Sequence, residues 1–215
     1  MSFYTMLEQL SFGMLRSMGI FFLTLLFSLP LGLMISFGRM SKNKIVSGIT
    51  GIIISVLRGT PLMLQLLVVY FFPFFLFGLS ISNWRFPAII VGFSINYAAY
   101  FAEIYRSGLQ AIDKGQYEAS RVLGFNKIYT FFHIILPQVF KIILPALAGE
   151  VITLVKDTAL AQTIGVAELF RAAQNAASRE FSTMPIFIAG VFFFVMNYLV
   201  SKFFNIVEDK MNYYD

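Results

Sequence analysis

Residues 17–38 form an unbroken run without a charged side chain. As a helix rising 1.5 Å per residue, such a run crosses a hydrocarbon core of about 30 Å. A secretory signal peptide would have a shorter apolar core followed by a small-residue cleavage site. Further apolar runs follow here at 45–57, 62–82, 86–102, 134–155 and 183–201, so the first run reads as an uncleaved span. Pro30 and Gly32 lie inside it, as membrane helices tolerate. The chain is 58% hydrophobic and 13% charged, with a mean hydropathy of +0.77. A soluble domain is about 45–50% apolar and about 25% charged. One soluble core cannot hide so much apolar surface, so lipid solvates much of it.

The fold expected is all-α, a single polytopic membrane domain over residues 1–215 with five transmembrane helices. The ambiguous stretch is 45–82, which Arg58-Gly59-Thr60-Pro61 interrupts. Residues 45–57 alone give a helix of about 20 Å, short for a span. The stretch is therefore read as one broken element, with two short spans as the alternative. Arg39, Lys42 and Lys44 follow the first span, whereas Arg16 before it is offset by Glu8. The positive-inside rule then puts the first loop in the cytoplasm and the N-terminus outside. Continuing along the chain, 78–85 lies outside, 106–133 inside, 157–182 outside and the tail from Lys202 inside. Arg106, Lys114, Arg121 and Lys127 agree with the inner assignment of 106–133.

The inventory of reactive side chains excludes several functions. With no Cys and one His, His133, the chain lacks thiolate metal sites and paired-His zinc motifs, and a Ser-His-Asp triad is disfavoured. It carries no GxxxxGK[ST] loop and hence no recognisable ATP site. The net charge of +5 comes from scattered bases rather than a basic stripe, so membrane topology explains it better than nucleic acid does. His133 is read as an interfacial residue, and the runs Phe71–Phe77 and Phe192–Phe194 as lipid-facing or packing surface.

The interior stretch 106–133 is the most polar and reads as an exposed loop holding short helices. Tyr117, Arg121 and Leu123 sit around one such helix, which Gly124 can terminate. Pro137 is expected in the first turn of the next helix. Glu118-Ala119-Ser120, Gly124 four residues after the serine, and Ile134-x-Leu136-Pro137 resemble the cytoplasmic "EAA" signature of ABC-importer permeases, with Ser120 in place of Ala. In that family the loop forms a coupling helix that enters a groove of a separate ATPase subunit. The resemblance thus assigns ATPase coupling to Glu118, Ala119, Ser120, Arg121 and Gly124. The plain alternative is a solvated connector.

Further segments resemble the polar amino-acid branch of these permeases, which includes histidine, glutamine, arginine and cystine types. They are Arg58-Gly59-Thr60-Pro61-Leu62 with Gln65, Ala102-Glu103-Ile104-Tyr105-Arg106-Ser107-Gly108, Lys156-Asp157-Thr158-Ala159-Leu160-Ala161 and Ala167-Glu168-Leu169. The resemblance covers about residues 11–207. Glu150, Thr153 and Asp157 also fall on one helical face at i, i+3 and i+7. Acidic groups in a membrane segment usually face a cavity or a partner. They suit the ammonium of an amino acid, or form a structural ion pair with Lys156 or an arginine. Asn96, beside Tyr97 in the third span, either serves a zwitterion or bonds a neighbouring helix. Thr60 and Gln65 flank the break at Pro61, where broken helices can line a cavity; the alternative is a simple turn with Arg58 snorkelling to an interface. The candidate substrate residues are therefore Asn96, Glu150, Thr153, Asp157, Thr60 and Gln65.

The resemblance implies a type I ABC importer permease in a prokaryotic plasma membrane, carrying a polar amino acid by alternating access. It implies a cytoplasmic ATP-binding subunit, which would hold ATP and magnesium, a second permease subunit, like or unlike, and an extracytoplasmic solute-binding protein. The expectation is a transport subunit with no catalytic residue, metal or cofactor of its own. The rival readings are a docking half of a heterodimer that does not itself bind substrate, and a passive channel.

Overall fold

A computed structural model describes residues 3–211. Every regular element among them is helical: α1 (Phe3–Arg39), α2 (Lys44–Gly59), α3 (Leu62–Phe77), α4 (Arg85–Ala111), α5 (Lys114–Val122), α6 (Lys127–Tyr129), α7 (Leu136–Asp157), α8 (Leu169–Glu180) and α9 (Met184–Met211). A π turn, Thr130–Ile135, joins α6 to α7, and a 3-10 segment, Thr158–Ile164, follows α7. Four helical stretches are long and apolar enough to cross a membrane, namely α1, α4, Lys127–Ile164 and α9. The pair α2 and α3 makes a fifth if counted as one span. The protein has an all-α multi-pass membrane fold.

The break between α2 and α3 bends the chain by 110°. Pro61 has no N–H to continue the helix and pushes Thr60 toward extended backbone, which Thr60 adopts at φ −119°, ψ 149°. Thr60 Oγ1 donates to Val56 O at 2.8 Å and so closes the last turn of α2.

Three segments are more helical than the sequence suggested. Helix α1 starts well before residue 17 and runs for 37 residues, with Arg16 inside it. Only two short gaps interrupt helix between α4 and Asp157, so 106–133 is less a loop than a helical turnback. Pro137 stands in the first turn of α7, as expected, but that turn continues directly from a π turn rather than from a loop. The Leu136 N–H bonds Phe131 O, five residues back, and the wider turn leaves room for a proline ring that would otherwise crowd the carbonyl four residues earlier.

Helices α1 and α4 form the closest packed pair. Ser17, Thr24, Ser28 and Ser36 are fully buried along α1. A Cβ on Gly32 would lie 2.8 Å from Phe101 Cβ, so the backbones approach too closely there for any side chain. The main core gathers Ile20, Leu66, Phe93, Tyr97, Phe101, Leu154 and Val155 from α1, α3, α4 and α7. Large side chains such as Phe22, Leu26, Phe75, Phe187 and Phe194 remain exposed, as lipid-facing surface requires. Within Phe71–Phe77, Phe71, Phe72, Phe74, Phe75 and Phe77 are exposed, and in the later run Phe194 is exposed while Phe192 and Phe193 pack inward.

Side-chain bonds mark the two ends of the bundle. At one end Arg39 of α1 reaches Glu103 of α4 (3.7 Å), and Glu103 also accepts from Arg106. At the other, Arg16 Nη1 donates to Ala167 O (2.9 Å) and Arg179 Nη2 to Gln9 Oε1 (2.8 Å), tying α1 to the α8 region.

Candidate substrate site and coupling helix

The broken element builds the first part of the site. Ending α2 at Gly59 frees carbonyls that the next helix cannot satisfy. Gln65 Nε2 donates to Leu57 O (2.8 Å), Thr60 O (3.2 Å) and Thr60 Oγ1 (2.7 Å). Asn96 Nδ2, buried on α4, donates to the same Leu57 O (3.1 Å) and to Gln65 Oε1 (3.0 Å). The structure therefore brings together Asn96, Gln65 and Thr60, and their amide donors face the broken helix.

The second part comes from α7. Glu150, Thr153 and Asp157 are each half-buried, as the shared face suggested. Tyr97 Oη donates to Asp157 Oδ2 at 2.8 Å and links α4 to the end of α7. Thr153 Oγ1 donates to Gly149 O (3.0 Å), which leaves the hydroxyl its acceptor lone pairs. Glu150 lies within electrostatic reach of Arg58 and Asp157. The arrangement offers two carboxylates on one face of α7, with the Arg58 guanidinium within electrostatic reach of Glu150. No cluster of metal-ligating side chains occurs among the described residues.

Sequence reasoning passed over three features. Tyr97 was noted, but its bond to Asp157 rests on a pairing across sixty positions that no local pattern signals. Arg58, expected as part of a break or snorkelling to an interface, places its guanidinium carbon 5.0 Å from the centre of the Tyr100 ring, which no local pattern signals. Glu168 carried no assigned role. It is fully buried and caps α8, accepting from Phe170 N (2.7 Å) and Arg171 N (2.7 Å). Ser17 Oγ donates to Glu168 and accepts from Leu169 N. Burial pushes the Glu168 carboxyl up to about 7, against the lowering effect of these bonds. An acidic residue directly before a helical run was the available signal for the cap.

The turnback carries a separate surface. Asp113 caps α5 by accepting from Gly115 N (2.5 Å). At the other end Gly124 takes φ +77°, with Gly124 N–H on Arg121 O (3.1 Å) and Phe125 N–H on Ser120 O (3.0 Å). That pair of bonds is a Schellman stop, which needs left-handed backbone at Gly124. Glu118, Ala119, Arg121 and Gly124 are exposed. Ser120 instead turns inward, buried, with its hydroxyl on Gln116 O (2.6 Å). Val122, Leu123 and Ile128 add exposed apolar surface beside them. His133 is exposed and stacks on Tyr129, with ring centroids 4.3 Å apart.

Comparison with known proteins adds to this geometry. A family described as "Binding-protein-dependent transport system inner membrane component" matches residues 28–213. The L-cystine transport system permease protein of Bacillus subtilis is 36% identical, covering 97% of this chain and 91% of its own length. The arginine transport system permease protein of the same organism is 36% identical over 93% of this chain and 90% of its own. A putative glutamine transport system permease protein of Rickettsia felis is 34% identical over 88% and 86%. Among solved structures, a crystal structure of an amino acid ABC transporter with histidines aligns at a TM-score of 0.85 and 34% identity, over 98% of this chain and 99% of that one. An inward-facing methionine ABC transporter shares the fold at a TM-score of 0.77 and 20% identity, over 99% and 100%.

Proposed function

Because the chain belongs to the binding-protein-dependent transport system inner membrane component family and is a permease subunit of a polar-amino-acid ABC importer, we propose that it holds its substrate between α7 and the broken α2–α3 element. The family implies a cytoplasmic ATPase and a solute-binding partner, and the permease itself is not catalytic. The observation that carries the site is the pair of half-buried carboxylates, Glu150 and Asp157, on one face of a membrane helix. Such charges are costly in a bilayer unless they meet a cavity or a partner. The substrate ammonium supplies that partner. Thr153 lies between them on the same face and offers its lone pairs. Asn96, Gln65 and Thr60 form the opposite wall.

The coupling helix is α5. Glu118, Ala119, Arg121 and Gly124 meet the ATPase, while Ser120 holds the helix to its own backbone. This places the Arg39–Glu103 end of the bundle and the C-terminal tail in the cytoplasm, and the N-terminus outside. The subunit works beside a second permease subunit, like or unlike. The relatives named for cystine, arginine and glutamine define the substrate class as polar amino acids.

Reconstituting the complex with its ATPase and measuring binding of each of the twenty amino acids tests the reading. One of them should bind, and Glu150→Gln or Asp157→Asn should weaken it by about tenfold or more, since charge-assisted hydrogen bonds contribute roughly 1.5–3 kcal/mol each. Parental affinity in both variants, with the complex intact, moves the site elsewhere. If only a partner permease subunit binds substrate when labelled separately, this chain is a docking half.

A further inference from the structure

Helix α8 holds α1 and α9 apart at one end of the bundle. Its first residue, Leu169, lies so close to α1 that a Cβ on Gly13 would come within 2.8 Å of the Leu169 Cα, and Leu169 N–H bonds Ser17 Oγ. From there α8 runs back toward the start of α1, where Arg179 bonds Gln9. On its other side it meets α9, with Leu10, Ala173 and Ala189 in one buried cluster. Past Ser17, therefore, α8 no longer fills the space between α1 and α9. A cleft of about 450 Å³ opens there. Phe21 and Leu25 line it from α1, Met196 and Val200 from α9, and Leu147 and Val151 from α7. Every side chain that lines it is apolar, and all three helices are long and apolar enough to span a membrane.

A cavity without polar groups does not hold ordered water, because each water needs two or more hydrogen-bond partners. Left empty, the walls would forfeit dispersion contacts. The occupant must therefore be apolar, and at membrane depth it is either a helix of another subunit or lipid. A helix is about 10–12 Å across with its side chains, so two turns of one displace roughly 900 Å³ or more. The cleft is too small for that. A single acyl chain is thin and flexible, and lipid tails are as apolar as leucine. The cleft is also continuous with lipid-facing surface, since Phe22 and Phe203 belong to its lining and are exposed.

We propose that the cleft between α1, α7 and α9 binds one acyl chain of a bilayer phospholipid. The chain packs against Leu147 and Val151 and so supports the helix that carries Glu150. None of the residues that line the cleft belongs to the proposed substrate site, so the two assignments stand or fall separately.

The test places the complex in vesicles of phosphatidylethanolamine and phosphatidylglycerol. A trace of phosphatidylcholine with a diazirine midway along one chain is the probe. Illumination forms adducts, which mass spectrometry locates. Val151 and Met196 are buried yet line the cleft. They should be labelled to an extent comparable with Phe194, which is exposed to lipid. Phe93 and Leu154, buried outside the cleft, should remain unlabelled. Val200→Phe narrows the cleft and should reduce the adducts at Val151 and Met196 by about tenfold, which corresponds to about 1.4 kcal/mol of lost binding. Val195→Phe makes the same change at an exposed position of α9 and should leave them as they are. Labelling of Val151 and Met196 no stronger than that of Phe93 overturns the proposal, and is the result expected if a second permease subunit closes the cleft. Adducts at Val151 and Met196 that Val200→Phe leaves undiminished overturn it as well. Should Val200→Phe fail to assemble, the labelling of the parent and of Leu25→Phe, on the opposite wall, decides the matter.

Discussion

Tyr97 Oη and Asp157 Oδ2, 2.8 Å apart, join the middle of α4 to the end of α7. The bond fixes a carboxylate that forms no ion pair among the described residues. It also connects the two walls of the proposed site, since Tyr97 follows Asn96 directly.

Tyr97→Phe should therefore loosen Asp157 without removing its charge. Hydrogen bonds to charged groups contribute about 1.5–3 kcal/mol. The thermal midpoint of the purified complex should fall, and substrate affinity should weaken by up to about tenfold. Asp157→Asn keeps an acceptor for the phenol, so it should lose more affinity than stability. Identical behaviour of the two variants in binding and thermal unfolding would falsify a positioning role for Tyr97.

Gly124 at φ +77° makes the stop of α5 sensitive to substitution. Valine is β-branched and does not reach left-handed backbone without strain of order 1–3 kcal/mol. Gly124→Val should unwind the last turn of α5 and abolish co-purification with the ATPase. Asparagine tolerates that backbone, so Gly124→Asn should retain docking. Space is no obstacle, since a Cβ there meets nothing within 4 Å. Loss of docking in both variants would show that the contact itself excludes a side chain.

The sequence displayed the spans because burial in lipid leaves a simple trace, a charge-free run. It displayed the stop at Gly124 because one backbone conformation demands one residue type. The break at Pro61 was equally visible, for the missing N–H is a local fact. Its 110° sharpness was not, since the angle depends on how Gln65 and Asn96 cap the freed carbonyls. The π turn before Pro137 was hidden too, because a wider turn leaves no residue signature. Long-range pairs such as Tyr97–Asp157 and Ser17–Glu168 lie beyond any sequence window.

Glu168 gives stability a pH dependence. Burial raises its carboxyl to about 7, above the usual carboxylate value of about 4.3. Between those values the folded protein holds a proton that the unfolded chain has lost. Stability from this group is thus fully present below about 4.3 and declines as pH rises through about 7. The thermal midpoint should fall between pH 5 and pH 8, and Glu168→Gln should flatten that slope. A slope unchanged by the substitution assigns the dependence to other groups.

The proposed topology is testable at the two ends of the bundle. If the Arg39–Glu103 end is cytoplasmic, as proposed, cysteines introduced at Gln116 and Lys210 should resist an impermeant thiol reagent applied to intact cells. A cysteine at Ser178 of α8 should react. The native chain has no cysteine to confuse the result. Labelling at 116 or 210 from outside, with none at 178, would invert the orientation.

Asn96 and Gln65 form the joint that keeps the break open, and they should prove energetically coupled. Each donates to Leu57 O, and Asn96 also donates to Gln65 Oε1 at 3.0 Å. Removing either amide leaves Leu57 O one donor, so neither loss alone strands the carbonyl. Removing both strands it in a site partly shielded from water, where an unsatisfied group costs about 1–3 kcal/mol. The double variant Asn96→Ala, Gln65→Ala should therefore lose more stability than the sum of the single variants through that carbonyl. The direct Asn96–Gln65 bond pulls the other way, because either single variant already breaks it. For residues in contact such coupling is typically 0.5–3 kcal/mol of either sign. A double-mutant cycle in thermal unfolding measures the balance, with the Leu57 term expected to dominate because both amides converge on it. Additive behaviour within about 0.5 kcal/mol would mean that the two amides act independently. The wall of the proposed site would then not depend on the joint, and substrate affinity in Gln65→Ala should remain parental. Where coupling is found, Gln65→Ala should weaken substrate binding even if its own side chain never touches the ligand, because the break that shapes the cavity would relax.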